Sequence, residues 1–268
     1  MKAPALSAQS PSFLRDQASS SGAYSLPGDP TSSSDSTQKI DRRGRVAVLL
    51  LADISPRFRL WGFARFVVQR FAMRGIRGLV LFKVMGSGYD GGFGLRPSAS
   101  RQALFCLFES DEAADHFLAS ALVAGYATRS REFCTAKLHA YSCRGSWSGA
   151  VIAVTQKEPL TGPIFTITRA SIRPSRMLAF WRMQPASEVA LNLAQGCLFA
   201  TGVGEAPFVR QATLSLWSST QAMDAYARSG AHLAAIQAAY SGQYFSESMF
   251  ARFVPSSLQG DWRGKHYG

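Results

Sequence analysis

The sequence is short of acidic residues and lacks the marks of secretion or membrane insertion. Its 268 residues hold 17 Asp and Glu against 29 Lys and Arg, a formal net charge of +12. This excess, carried mostly by arginine, predicts attraction to anionic partners such as nucleic acid, acidic lipid head groups or an acidic protein, without choosing among them. The longest apolar run, VAVLLLADI, is about half the length that a membrane-spanning helix needs.

Signatures of hydrolytic and zinc chemistry are missing too. His116, His139 and His266 lie far apart, and no HExxH or HxxxH spacing occurs. The segment GSWSG places Trp147 where a nucleophile elbow needs serine. The four cysteines show no CxxC spacing and no signal peptide precedes them, so they are predicted to be reduced thiols of a cytoplasmic protein.

The first forty or so residues differ in composition from the rest. They are rich in Ser, Pro, Gly and Asp and hold few apolar residues to offset the entropy of ordering, so residues 1–43 are predicted to form a disordered tail. The remainder can bury one large core or two small ones. We expect a first lobe over residues 44–156 and a second over residues 157–268.

The two expected lobes repeat one pattern. RQALFCLFESDEAADHFLAS, from residue 101, aligns without a gap with RQATLSLWSSTQAMDAYARS, from residue 210. ADISPRFRLWGF and VMGSG pair likewise with ASIRPSRMLAFW and ATGVG. In each copy a proline after a strand predicts a first helix, and Ser110 or Ser219 precedes a second. The predicted class is α+β: two tandem ferredoxin-like (βαββαβ) lobes packed as an intramolecular dimeric α+β barrel.

A glycine pattern in the first copy imitates a nucleotide site. Gly86, Gly88 and Gly91 form GxGxxG after a strand. That fingerprint requires a helix directly after the glycines, and the segment before the next strand is too short for one. We therefore predict a wide hairpin connection near the barrel mouth.

One histidine distinguishes the copies. His232 lies in the alanine-rich stretch SGAHLAAIQAAYSG, where the first copy has Val123. Ala235, Ile236 and Ala239 share its helical face, and such small neighbours leave room for a flat, bulky group. A neutral imidazole there is a candidate proximal haem ligand; the alternative is a buried or surface histidine with a structural role.

Five segments together resemble the spheroidene monooxygenase family of carotenoid biosynthesis. In chain order they are GSGYDGGFGLRPSAS, TITRASIRPSRMLAFW, GVGEAPFVRQATLSLWSS, AHLAAIQAA and FSESMFARF. The resemblance implies a haem-containing oxygenase that uses O2 and electrons from reduced ferredoxin to introduce a keto group at C2 of acyclic carotenoids such as spheroidene. It also implies that His232 is the family's histidine in this helix.

Two arginines are candidate catalytic residues within that hypothesis. Arg169 in ITRAS and Arg210 in FVRQA lie on predicted strands and could point inside the barrel, as distal groups or as partners of the haem propionates. The alternative for either is an ion pair with Glu205 or Glu247.

Other interpretations stay open. The aromatic and basic segment over residues 57–74 suits either an interfacial helix on anionic lipid or a core-packed helix with a solvated basic edge. The chain could also be a non-catalytic haem- or lipophile-binding protein on the same fold. A nucleic-acid-binding protein is disfavoured, because no RNP-like strand is present and the arginines are scattered. We expect a cytoplasmic enzyme with a lipophilic substrate, peripheral membrane contact and no nucleic-acid partner.

Overall fold

A computed structural model describes residues 43–92, 94, 96–206, 208–228 and 230–268. For Asp90, Ala231, His232, Ala235, Ile236 and Tyr240 it describes the backbone alone. The predicted tail lies outside the described residues except for Arg43, which pairs with Val151.

The two parts of the chain contain similar series of strands and helices. The first part contains β1 (Arg43–Gly44), β2 (Val46–Ile54), α1 (Arg59–Ala72), β3 (Leu79–Gly88), β4 (Pro97–Phe108), α2 (Asp111–Leu118), α3 (Ala121–Ala127), β5 (Ser130–Gly145) and β6 (Val151–Ile152). The second part contains β7 (Ile164–Ile172), α4 (Met177–Asn192), β8 (Cys197–Ala206), β9 (Arg210–Trp217), α5 (Thr220–Ala227), α6 (Gly230–Ser241), β10 (Phe245–Trp262) and β11 (Lys265–Tyr267).

Local residues set where the helices begin. Prolines start the short 3-10 turns Pro56–Phe58 and Pro174–Arg176 that lead into α1 and α4. Ser110 and Ser219 cap α2 and α5 by accepting backbone N–H groups, as their positions predict. The single second helix expected in each copy is wrong. In the first copy Ser120 is extended and caps a new helix, α3, so the chain turns there; α5 and α6 divide the second copy in the same way.

Eight strands close into an antiparallel barrel in the order β2-β4-β3-β8-β9-β7-β10-β5, with β5 paired to β2 and β11 added beside β10. The predicted α+β class and the barrel are thus confirmed. Its two halves meet at unequal seams. β5 and β10 pair along a register that runs from Gly145 and Met249 to Cys134 and Gly260. β3 and β8 share two residue pairs, at Gly86 and Ser87.

Alternate residues of the strands point into the barrel and fill it with one apolar core, which includes Leu49, Phe105, Ile167, Leu214 and Phe253. Helices cover the outer faces. Beneath α1, α2 and α3 lies a second core, built on the outward residues of β2 and β4. Beneath α4, α5 and α6 lies a third core, whose described residues include Leu191, Trp217 and Met223.

Two further expectations concern the glycine loop and the membrane. Gly86 and Gly88 end β3, a 3-10 turn over Tyr89–Gly91 follows, and β4 begins at Pro97, so the described residues hold no helix where a dinucleotide site needs one. Within the described ranges, no helix has both the length and the apolarity to cross a bilayer.

Candidate functional site

A cavity of about 460 Å³ lies between the outer face of the second half-barrel and the helices that cover it. Its helix side is mainly apolar and is lined by Phe180, Trp181, Met183, Leu191, Met223, Tyr226 and Ala239. Its sheet side comes from β7, β9 and β10. The volume falls in the range of about 300–1,000 Å³ that small-molecule and cofactor sites occupy.

Hydroxyl groups line the sheet side of this cavity. Thr166 faces Ser215 across the β7/β9 ladder, and Thr168 faces Thr213 one step along. The Thr166 and Ser215 hydroxyl oxygens are 2.7 Å apart, and the indole N–H of Trp217 donates to the Ser215 oxygen at 3.0 Å. Thr168 is exposed although it lies in the middle of its strand, because its side chain faces the open cavity.

The corresponding positions of the first half are filled with apolar side chains. Val48 faces Cys106, and Leu50 faces Leu104, in the same cross-strand pairs of β2 and β4. All four are buried and belong to the core beneath the first three helices. Where one half of the barrel packs a core, the other half presents hydroxyls to a cavity.

The candidate haem ligand lies on one of the helices that border the cavity. His232 is the third residue of α6, and its side chain lies outside what the structure describes. Seven positions, two helical turns, separate it from Ala239, which is buried and lines the cavity, so both positions share one face of α6. In the first half the third residue of α3 is Val123, which is buried in the core.

Arg169 lies at the cavity's edge, but its guanidinium points the other way. The inward residues of β7 are Phe165 and Ile167, and alternation puts Arg169 with them, inside the barrel mouth. It is almost fully buried, donates to Glu247 at 2.5 Å, and lies 3.7 Å from Glu205.

The carboxylates around Arg169 belong to a larger polar network. Glu205 also accepts from Lys83 at 2.6 Å and from the indole N–H of Trp147 at 2.6 Å. Burial tends to raise the pKa of Glu247, but hydrogen bonds from Arg169 and from the Gly149 N–H outweigh it, so the pKa lies below its ordinary value. The ion-pair alternative for Arg169 therefore matches the observed contacts.

Arg210 lies in a different environment from the buried Arg169. It begins β9 and is exposed, next to Gln211, which lines the cavity. The structure does not bring the two arginines together at one point of the cavity. Their catalytic roles stay predictions.

The sequence motifs did not predict the hydroxyl pairs of β7 and β9. They carry no recognisable signature, but the repeat would have revealed them, because Val48 and Leu50 align with Thr166 and Thr168 when the copies are compared. A paired loss of apolar residues in one copy is the pattern expected of a site that has opened in a core.

Among the described residues, no group of three or more His, Cys, Asp or Glu side chains could hold an ion. A haem needs one axial protein ligand and an apolar slot with a few polar groups, which the cavity walls and the position of His232 on α6 can supply.

Another cavity, of about 580 Å³, is unsuited to an apolar ligand. It is lined by charges of both signs, Arg101 and Arg263 with Glu132 and Glu188. Charged walls of this kind must be desolvated to receive an apolar molecule.

Comparison with known proteins gives three sequence relatives, each named spheroidene monooxygenase. That of Rubrivivax gelatinosus is 50% identical over 243 residues, which covers 90% of this chain and 94% of the relative. That of Cereibacter sphaeroides is 29% identical over 218 residues, covering 77% of this chain and 65% of the relative. That of Rhodobacter capsulatus is 29% identical over 210 residues, covering 76% and 87%. No family model matches the chain.

Solved structures share the fold. An aldoxime dehydratase crystallised with butyraldoxime superposes with a TM-score of 0.52 at 10% identity, covering 80% of each chain. A further aldoxime dehydratase gives 0.50 at 12% identity, covering 79% of this chain and 81% of that one. At such low identity the likeness shows the architecture alone.

Proposed function

The chain belongs to the spheroidene monooxygenase family, and on that premise we propose that the hydroxyl-lined cavity is the active site of a haem-dependent carotenoid monooxygenase. The reaction is the introduction of a keto group at C2 of an acyclic carotenoid, with O2 and reduced ferredoxin as co-substrates. The family membership supports an oxidoreductase acting on a carotenoid; the haem, the ferredoxin and the position of the keto group are parts of the proposal.

The observation that carries the proposal is the contrast between the two halves of the barrel. Apolar pairs such as Leu50 with Leu104 are replaced by Thr168 with Thr213, and a cavity opens above them. Emptying a core costs stability, about 24 cal/mol per Å³ of void in apolar sites, so a ligand that fills the space offsets that loss.

Each residue has a distinct part in the proposal. His232 on α6 would hold the haem iron. The Thr168 and Thr213 hydroxyls, which line the cavity, would donate hydrogen bonds to the oxygen of the hydroxylated substrate. Arg210, exposed at the start of β9 and outside the residues that line the cavity, would pair with a haem propionate. Arg169 is a positioning residue, since it ties β7 to Glu247 of β10 beneath the cavity floor.

Haem, when bound, supplies the activation of O2 with electrons from ferredoxin. The substrate undergoes two successive hydroxylations at one carbon. Each consumes one O2, two electrons and two protons, replaces a C–H bond with C–OH and releases one water. The geminal diol then loses water to give the ketone. The apolar helix side excludes bulk water, and the reacting carbon of the polyene lies with the oxygen chemistry on the hydroxyl side.

The architecture is part of the same proposal. Each half has the order βαββ followed by helices and a last strand, and its strands are arranged β5-β2-β4-β3 in one half and β10-β7-β9-β8 in the other. This equivalent arrangement supports two tandem ferredoxin-like lobes that arose by duplication and diverged into a packed half and a ligand-binding half. We place the enzyme in the cytoplasm, at the surface of a membrane that holds its substrate.

The experiment is an optical titration of the full-length protein with haem. We expect a Soret band that His232→Ala shifts or abolishes and that the control His116→Ala, an exposed histidine of α2, leaves unchanged. A carotenoid-producing host with a ferredoxin supply should then accumulate a keto-carotenoid. The absence of a Soret band, or one unaffected by His232→Ala, refutes the ligand assignment. Haem binding with unaltered carotenoid would instead favour the non-catalytic binding protein.

A further inference from the structure

Helix α1 turns its apolar side away from the protein. Leu60, Phe63, Val67 and Phe71, hereafter the outer stripe, recur at helical spacing and are 86%, 53%, 63% and 49% exposed. The opposite side of the helix is buried and includes Gln69, whose amide makes no hydrogen bond within the described part of the chain. A helix of a water-soluble surface has the reverse pattern.

The flanks of the outer stripe are strongly basic. Arg59, Arg70 and Arg74 are exposed on α1 or just beyond it, and no acidic residue occurs between Asp53 and Asp90. The guanidinium groups of Arg70 and Arg74 lie 4.7 and 4.9 Å from the centre of the Phe71 ring. Cations that stand beside an aromatic ring suit the boundary between anionic head groups and acyl chains.

The equivalent helix of the second half continues this surface. Leu178 and Val189 of α4 and Leu193, which follows its last residue, point outward and are 72%, 58% and 78% exposed. α1 packs over β3 and β4, and α4 packs over β8, the barrel neighbour of β3, so the two helices flank one seam. The inner side of α4 lines the cavity, which places the cavity about one helix diameter, ~10 Å, from whatever α4 contacts.

We propose that the outer stripe, its arginines and the outward face of α4 dock the protein on an anionic lipid bilayer. With 14 residues, α1 is about 21 Å long and lies in the interface rather than across it. An acidic protein is the other occupant that would cover both the arginines and the apolar side chains, and a failure to bind lipid vesicles would point to it. The inference deepens the proposed function by naming the source of its lipophilic substrate, and it needs neither haem nor carotenoid to be tested.

The test is co-sedimentation of the full-length protein with vesicles of phosphatidylglycerol and phosphatidylcholine, against vesicles of phosphatidylcholine alone. We expect binding to the anionic vesicles that weakens with added salt. Arg70→Gln with Arg74→Gln should weaken it roughly 25-fold, from about 1 kcal/mol per arginine at 1.4 kcal/mol per tenfold. Phe63→Ser with Phe71→Ser should weaken it about tenfold or more.

The matched control is Leu160→Ser, which removes a 91%-exposed apolar residue outside both helices and should leave vesicle binding unchanged. Circular dichroism should show every variant folded, since the substituted side chains are exposed. The proposal is overturned if the protein does not sediment with anionic vesicles, or if the Phe63 and Phe71 variant binds like the parent, which would indicate a purely electrostatic partner. It is also overturned if ultracentrifugation shows that the stripe holds two copies of the chain together in the absence of lipid. A Soret band with no vesicle binding would refute the docking alone.

Discussion

Replacement of Arg169 by methionine tests whether this arginine holds the barrel mouth together. The guanidinium is 2% exposed and faces two carboxylates, Glu247 at 2.5 Å and Glu205 at 3.7 Å. Methionine keeps much of the volume but leaves Glu247 partly buried without its cation. Removal of one partner from a buried ion pair typically costs about 3–5 kcal/mol, a large share of the roughly 5–15 kcal/mol that holds a domain folded.

The pH dependence of the free energy of unfolding tests the ion pair between Arg169 and Glu247 separately. In the parent protein the pKa of Glu247 is below its unfolded value, so this group stabilises the fold above the unfolded pKa, and that contribution is lost as the pH falls through the folded pKa. Without Arg169 only the hydrogen bonds from the Gly149 N–H and from Ser146 oppose the effect of burial, so the pKa of Glu247 should rise. On acidification from neutral pH, the free energy of unfolding of Arg169→Met should therefore fall less steeply than that of the parent.

Urea unfolding across the pH range measures both quantities. Arg176→Met, at an exposed arginine, is the control and should change the free energy of unfolding by less than about 0.5 kcal/mol. If Arg169→Met is too unstable to study, Arg169→Met with Glu247→Gln should restore part of the loss because the unpaired charge is gone. A cost below about 1 kcal/mol, with an unchanged pH profile, would refute the positioning role and return Arg169 to the catalytic candidates.

Two further changes test the cavity and the packing of Trp147 inside the barrel. Thr168→Leu with Thr213→Leu copies the packing of the first half, so it should abolish the haem Soret band while leaving the melting temperature equal or higher. The control is Thr161→Leu, on an exposed loop. An undiminished Soret band in the double variant would contradict the site. Trp147→Ala removes a ring that stacks on Phe105 at 4.9 Å inside the barrel, and should cost about 3–5 kcal/mol in urea unfolding, whereas a loss under 1 kcal/mol would show that the ring is not part of the packed core.

The elements that could be predicted from the sequence are those fixed by local chemistry. Runs of β-branched residues or leucine, such as VAVLLLADI and IFTITRASI, indicated strands, and serine hydroxyls at Ser110 and Ser219 marked helix starts that the structure confirms. The full length of the last strands could not be predicted. Apolar residues indicate only CTAKLHAYS and SMFARFV, whereas β5 and β10 extend well past these segments because they pair with each other from Gly145 and Met249 to Cys134 and Gly260.

Long-range pairing accounts for what could not be predicted. The sequence could name Glu205 or Glu247 as a partner of Arg169, but only the fold shows that both lie beside it, with Glu247, 78 positions away, accepting the hydrogen bond. The orientation of α1 could not be predicted either, since its composition fits both an interfacial helix on anionic lipid and a core-packed helix with a solvated basic edge. The helix approaches the sheet through Gly62, where an added Cβ would meet Gln102 at 3.1 Å and Ile54 at 3.3 Å, and this contact leaves Leu60 and Phe63 on the outside.

The unequal seams have a consequence for how the barrel forms. The long β5/β10 seam joins residues more than one hundred positions apart, so the chain must lose much loop entropy before that ladder contributes stability. Within each half the other ladders join nearer neighbours and can form first. Until the seam closes, β5 and β10 are edge strands with free backbone groups, which can pair with the matching edge of a second chain. Refolding at low protein concentration therefore favours the closed monomer, and crowded refolding favours exchange of halves between chains.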